Sequence, residues 1–359
     1  MCCAVSKHTL SREMEMDIMT DFWKNKRVLV TGAGGFIGSH LVEVLQHSGA
    51  QVRAFTRYNS RNDPGLLRFL PEFSHRPSGR GAGGEGSLEI AQGDLRDADA
   101  VRQAMQGVSH VFHLGALIAI PYSYRHPAEV VESNILGTLN VLLAARDLGV
   151  ERLVHTSSSE VYGTALRVPI DEEHPLQGQS PYSASKIGAD KLAESFYCSY
   201  SLPVVTLRPF NTYGPRQSAR AVIPTMISQA LGGGSIRLGN LDTRRDFTYV
   251  SDTVAGFLKI AETPGVEGQT INLGTGVDVR IDDLAQQIAA MFDPPLEIVV
   301  EAQRLRPGKS EVLRLISDNR LALKRLGWSP QVEINDGLRQ TFEWIRENLA
   351  HYTSDEYVV

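Results

Sequence analysis

A short apolar run, Arg27-Val28-Leu29-Val30, leads directly into Thr31-Gly32-Ala33-Gly34-Gly35-Phe36-Ile37-Gly38. Its β-branched residues read as a buried strand. Phe36, Ile37, Leu41, Val42 and Leu45 then recur at helical spacing. Strand, glycine turn and helix in that order strongly restrict the fold. Gly32 permits a tight turn, Gly35 lets backbone approach a ligand, and Gly38 lets the helix pack close to the strand. Free N–H groups at the helix start then face an anion, the context of a dinucleotide fingerprint. The spacing here is GxxGxxG rather than GxGxxG. A tight turn without a ligand is the bland alternative.

The pattern continues as alternating strands and helices to about Arg208, which predicts a parallel, doubly wound α/β sheet of the Rossmann type. The second strand, Gln51–Phe55, runs into Thr56-Arg57-Tyr58 without the acid that binds the ribose 2′-hydroxyl of NAD. Arg57 can instead pair with the 2′-phosphate of NADP, so the reading leans to NADP and leaves NAD open; a solvated Arg57 is the alternative. Asp94 and Leu95 follow the strand Leu88–Gln92. Asp94 can accept from an adenine amino group or simply cap a helix. Leu114 and Ala116 flank Gly115 after a strand ending at Val111, where small residues let the chain pass close to a cofactor.

Tyr182 and Lys186 lie four residues apart on a predicted helix, so they share a face. A neighbouring ammonium favours phenolate and lowers the tyrosine pKa. They come after a fifth strand, Arg152–Thr156, which ends in the polar cluster Ser157-Ser158-Ser159-Glu160. Ligands of open α/β sheets bind at such carboxyl ends.

TGAGGFIG at Thr31, GDLRD at Gly93, HLGA at His113, Asn134 with Gly137-Thr138, SSSEVYG at Ser157, YSASK at Tyr182, RPFNTYGP at Arg208 and RDFTYVSD at Arg245 occur in this order. Together they resemble the extended short-chain dehydrogenase/reductase family, the nucleotide-sugar epimerases and dehydratases, from about Lys26 to Ala350. The resemblance implies that Ser158, Tyr182 and Lys186 are the catalytic Ser/Thr, base and partner lysine. Glu160 matches a position where 4,6-dehydratases carry a glutamate able to remove the C5 proton of a 4-keto sugar; its bland alternative is a solvated loop glutamate. Ser159 stands where dTDP-glucose enzymes usually hold an aspartate, so Glu160 or a water on Ser159 is left to protonate the departing C6 hydroxyl. The stretches Asn211–Pro224 and Gln303–Val312 look like nucleotide-hexosamine 4,6-dehydratases of the legionaminic-acid type, which act on GDP- or UDP-linked N-acetylglucosamine. A 4-epimerase or a uronic-acid nucleotide decarboxylase is the alternative, and a non-catalytic NAD(P)-binding sensor a remote one.

Guanidinium groups bind a diphosphate bidentately. Arg216, Arg245 and Arg306, in loops of the C-terminal half, and Asn211 are the substrate-binding candidates; for any one arginine a surface ion pair is the alternative. The domains expected are an N-terminal extension over 1–25, a cofactor domain with the catalytic residues over 26–208, an interwoven and mainly substrate-binding lobe over 209–350 and a tail over 351–359. Met19 is a candidate natural start. The stretch Pro71–Ser87, rich in glycine, reads as a mobile loop. Helices Pro127–Asp147 and Pro181–Ser201 imply, by resemblance, a homodimer interface, although their apolar residues can equally face their own core.

A net charge of −5 over 359 residues, without a basic stripe, argues against nucleic acid. No run reaches the apolar length of a membrane helix in this reading. The chain shows no signal-peptide pattern, so the cytoplasm follows by default. Cys2, Cys3 and Cys198 imply no disulfide framework, and Cys198 reads as a packed thiol. No metal-ligand set is read.

Overall fold

The computed structural model describes residues 22–70 and 86–352. The bulk of the glycine-rich stretch read as a mobile loop, and most of both terminal segments, lie outside these residues.

Strands β1 (Arg27–Thr31), β2 (Gln51–Arg57), β3 (Leu88–Gly93), β4 (His110–His113), β5 (Arg152–Thr156) and β6 (Val204–Pro209) alternate with helices α1 (Phe36–His47), α2 (Ala98–Met105), α3 (Pro127–Leu148) and α4 (Pro181–Tyr200). They form one parallel sheet in the order β10-β6-β5-β4-β1-β2-β3, with β10 at Thr270–Leu273. The expected doubly wound sheet is therefore present. The order reverses between β1 and β4, which opens the crevice where such sheets bind ligands.

The strands are apolar on both faces because helices cover both. Val28, Val30 and Val154 face one core with α1 and α6 (Val250–Glu262); Leu29, Val111 and Leu153 face another with Val141 and Leu142 of α3. Burial of this kind stabilises by about 25 cal/mol per Å² of apolar surface.

The chain passes back and forth between the cofactor sheet and the smaller sheets. The chain leaves β6 to build β7 (Asn211–Tyr213), α5 (Val222–Leu231), β8 (Ile236–Leu238) and β9 (Arg244–Tyr249), then returns α6 and β10 to the cofactor sheet. Strands β7, β11 (Asp278–Arg280) and β13 (Arg314–Leu315) pair with β9 in a second, mixed sheet. β12 (Ile298–Val300) extends β8 in a third.

Three sequence readings are corrected. The boundary of the N-terminal extension at residue 25 falls too late: Trp23 is fully buried and meets Phe112 in the core with the rings tilted by 45°. Cys198 is exposed rather than packed, because it lies on the outward face of α4. By length and composition α3 does reach the apolarity of a membrane-crossing helix. Its apolar residues have a use within the fold, since Val141, Leu142, Ala144 and Ala145 are buried against the sheet.

Candidate active site

The glycine turn is built as its spacing demands. Gly32 has a φ of +69°, and a Cβ there would stand 2.8 Å from the Gly115 nitrogen. A Cβ on Gly38 would stand 2.3 Å from the Gly32 carbonyl oxygen. The first packs the turn against the end of β4; the second seats α1 on β1. Gly35 is different: its Cβ would meet only the Gly32 oxygen, at 3.1 Å. Space above Gly35 is therefore open to a ligand. No side chain caps α1, which leaves the first N–H groups beside Phe36 and Ile37 open toward the same space. This cradle fits a pyrophosphate.

Around it, Thr31 Oγ1 lies 2.8 Å from His113 Nδ1 and accepts from the Gly115 N–H at 3.1 Å. These bonds lock the ends of β1 and β4 together at the switch point. Leu95 packs on Gly115 and Gly137 where a Cβ would collide with it. Leu114 packs against the core, and Ala116 follows at the mouth of the crevice. Asp94 does not cap a helix; Asp97 does, accepting from Asp99 and Ala100 N–H groups. Asp94 instead holds Arg96 through bonds of 3.0 and 2.8 Å, and Arg96 keeps its carboxyl below the usual range. Arg57 is largely exposed and turns toward Asp94 at 4.0 Å and Glu129 at 3.6 Å. Its charge is thus shared with two carboxylates, a partnership invisible in the local sequence.

Helix α4 starts at a capping box in which Ser180 and Ser183 bond reciprocally, with Pro181 in the first turn. That start places Tyr182 and Lys186 on consecutive turns, both buried. Ser158 sits at the carboxyl end of β5. Its Oγ accepts the Glu160 N–H at 3.2 Å, and its hydroxyl lies near enough to Tyr182 to favour the phenolate. Lys186 Nζ donates to the Thr156 carbonyl at 2.5 Å. Asn134 on α3 bonds Leu117 N–H and C=O at 2.8 and 2.9 Å and the Ser185 hydroxyl at 2.9 Å, which fixes α4 against the crevice.

The electrostatics correct one expectation. Burial pushes the Tyr182 hydroxyl up to about 12, and the nearby Glu160 carboxylate adds to that; the Ser158 hydroxyl opposes it. Burial also lowers Lys186, to about 8. In the protein alone, desolvation of the phenol therefore outweighs any pull from the ammonium.

A cavity of about 320 Å³ is lined by Glu160, Asn211, Arg245, Arg306 and Glu311. Arg245 lies on β9 rather than in a loop, and it is buried. Its guanidinium stands 3.7 Å from Glu311, and Arg306 stands 3.9 Å from the same carboxylate. The loop carrying Arg306 is tied down by Ser310, whose hydroxyl donates to Gln179 O at 2.6 Å. Arg216 does not line this cavity. It turns away, with φ +68°, to pair with Glu43 of α1 at 2.8 Å. Ser159 is buried, as Tyr182 and Lys186 are, and does not line this cavity. Gln217, Arg220, Arg237 and Arg304 also line it, and the three arginines add positive charge; none was read as a site residue. All but Arg237 stood within the quoted stretches, as did Glu311, but only folding shows that Glu311 faces two arginines.

The family described as GDP-mannose 4,6 dehydratase matches residues 29–341. A UDP-glucose 4-epimerase of Mycolicibacterium smegmatis is 33% identical over 89% of this chain and 98% of its own length. The solved dTDP-glucose 4,6-dehydratase of Streptomyces venezuelae, bound to NAD, superposes with a TM-score of 0.78 at 29% identity, covering 91% of this chain and 98% of that one. A UDP-N-acetylglucosamine 4-epimerase from Methanobrevibacter ruminantium M1 superposes with a TM-score of 0.79 at 30% identity, covering 90% and 99%. A match running from the first strand into the last helix, over a crevice built for a dinucleotide, makes this chain a member of the NAD-dependent epimerase/dehydratase branch of the extended short-chain dehydrogenase/reductase family, enzymes of nucleotide sugars.

Proposed function

We propose that this protein is a 4,6-dehydratase of an NDP-linked N-acetylhexosamine, with GDP- and UDP-GlcNAc as the first substrates to try, in cytoplasmic surface-polysaccharide synthesis. The observation that carries the reading is the position of Glu160. It lines the cavity shared by Arg245 and Arg306, and its charge acts on both Tyr182 and Arg245. A carboxylate between the base and the diphosphate site is where a C5 proton would stand.

Asn211, Arg245 and Arg306 hold the nucleotide sugar, with its diphosphate on the two guanidinium groups. Gly32, Gly35 and Gly38 with the N–H groups at Phe36 and Ile37 hold the dinucleotide, beside Leu95, Leu114 and Ala116. A dinucleotide held there would supply the hydride acceptor for C4 and the donor for C6, so no net redox would result. Tyr182 accepts the C4 hydroxyl proton, with Ser158 and Lys186 favouring the phenolate. Glu160 then removes the C5 proton of the 4-keto sugar and delivers a proton to the C6 hydroxyl, which leaves as water. Both transfers fall to Glu160, which lines the cavity.

We propose NAD as the dinucleotide: Arg57 shares its charge with Asp94 and Glu129, which disfavours a further 2′-phosphate role. Mass analysis of cofactor released from purified protein tests this; NADP in the supernatant refutes it. A homodimer through α3 and α4 is proposed on the exposed Val131 and Leu136 of α3, and light scattering at the monomer mass overturns it. The second reading, a 4-epimerase, is favoured by the two similar epimerases. Glu160→Gln separates the two. It stops water loss while C4 oxidation persists in a dehydratase, and leaves turnover within a few-fold in an epimerase. Tyr182→Phe abolishes both activities and keeps cofactor binding; surviving activity removes Tyr182 as the base.

A further inference from the structure

One turn beyond Lys186, α4 carries a carboxylate that the reaction above does not use. Asp190 is buried at 4% exposure. Its Oδ1 lies 3.0 Å from His155 Nε2 on β5, so that nitrogen carries the proton and donates. Its Oδ2 accepts from Ser157 Oγ at 2.7 Å and from Arg208 Nη2 at 2.9 Å and Nε at 3.2 Å. Arg208 on β6 is fixed in turn, donating to the Tyr162 hydroxyl at 2.9 Å, which donates to Asn272 Oδ1 at 2.8 Å. The carboxylate is thus held from two strands and cannot swing away.

The charges around Lys186 can be listed element by element. From α4 come Tyr182 and Asp190; from β5, His155; from β4, His113; from β6, Arg208. Burial lowers both histidines and keeps them neutral. Among these groups, two buried cations, Lys186 and Arg208, face one buried carboxylate, with the half-buried Glu160 acting on Tyr182. Among the described residues, the Lys186 ammonium donates to the Thr156 carbonyl alone, a dipole rather than a charge. A buried ammonium without a counter-charge neutralises instead.

We propose that Asp190 is a positioning residue, the fixed counter-charge that keeps Lys186 an ammonium next to Tyr182. Its serine tether, Ser157, immediately precedes Ser158, so the same carboxylate anchors the strand end that carries the catalytic serine. Asp190 also opposes ionisation of Tyr182, which means that its loss moves both groups in the same direction, to lower pH. The inference rests on the Tyr182–Lys186 reading, which Tyr182→Phe tests on its own.

The test needs no substrate. Holoenzyme labelled with ¹³C at lysine Cε is titrated by NMR, and the Lys186 signal is identified by its loss in Lys186→Met. Burial lowers Lys186 to about 8 in the protein alone, which sets the range in which its midpoint is sought. Asp190→Asn is expected to move that midpoint down by about one unit or more, about tenfold in the ammonium ratio. Asp190→Glu, which keeps the charge, returns it toward the wild type. Ser157→Ala, which removes one bond but no charge, leaves it in place. Should Asp190→Asn fail to fold around an unpaired Arg208, Asp190→Asn with Arg208→Met is compared with Arg208→Met alone, and the Lys186 midpoint is expected to lie lower in the double variant than in the single one. An unmoved Lys186 midpoint in the folded variant, whatever its melting temperature, overturns the proposal and leaves Asp190 a structural ion-pair partner.

Discussion

Replacing Gly38 with alanine tests the cofactor cradle at its tightest point. The new Cβ would lie 2.3 Å from the Gly32 carbonyl oxygen and 2.9 Å from Ala33 Cα. Ordinary carbon–oxygen contacts begin near ~3.3 Å, so the start of α1 must recede by roughly 1 Å. Both neighbours are backbone, so no side chain can turn aside. Overpacking of this kind costs about 1–3 kcal/mol. Alanine recovers up to about 1 kcal/mol because it suits a helix better than glycine. The net loss of stability is small, on the order of 0–2 kcal/mol, about 4 °C at most in melting temperature for a chain of this size. Cofactor binding suffers more. An N–H to phosphate bond stretched by 1 Å is no longer a hydrogen bond, and one charge-assisted bond contributes about 1.5–3 kcal/mol. The expected outcome is a Kd for the dinucleotide weakened about 10- to 150-fold, measured by calorimetry on stripped enzyme alongside a thermal melt. Affinity within twofold of wild type would refute the reasoning, since it would mean that the helix start does not hold the pyrophosphate.

Three further outcomes follow from the same structure. Arg245→Gln should weaken binding of a nucleoside diphosphate by at least tenfold, from the loss of about 1.5–3 kcal/mol of charged hydrogen bonding. Arg216→Gln should leave that affinity within threefold, since Arg216 pairs with Glu43 outside the cavity; equal losses in calorimetry would contradict this division. Acid should destabilise the fold early. Burial lowers His40 and His110 to about 4, and His113 and His155 are lowered too, so all four bind protons in the unfolded chain first. Stability then falls as pH drops below about 6.5, by up to about 1.4 kcal/mol per unit for each histidine. Urea melts at pH 7 and 5 measure this, and equal midpoints would contradict it.

Much of the site was legible because its geometry is local. The glycine turn needs only neighbours within a few residues, and so does the i,i+4 pairing of Tyr182 with Lys186. What escaped depends on partners distant in sequence. Arg216 and Arg245 look equivalent in the chain, but Glu43 on α1 claims the first while β9 aims the second into the cavity. The pair Tyr182–Lys186 reveals adjacency but not burial, and burial reverses the direction in which the phenol shifts. Arg57 looked free because the acids that share it come from the turn after β3 and from α3. Trp23 lay in a segment without periodicity, and a single aromatic gives no pattern from which docking could be read.

Incubation of purified enzyme with UDP-GlcNAc and, separately, GDP-GlcNAc, followed by mass spectrometry of the nucleotide sugar, tests the central claim most directly. The account predicts the loss of one water from one of the two, without consumption of added cofactor. A product of unchanged mass that NMR identifies as the 4-epimer would contradict it and make Glu160 a structural carboxylate.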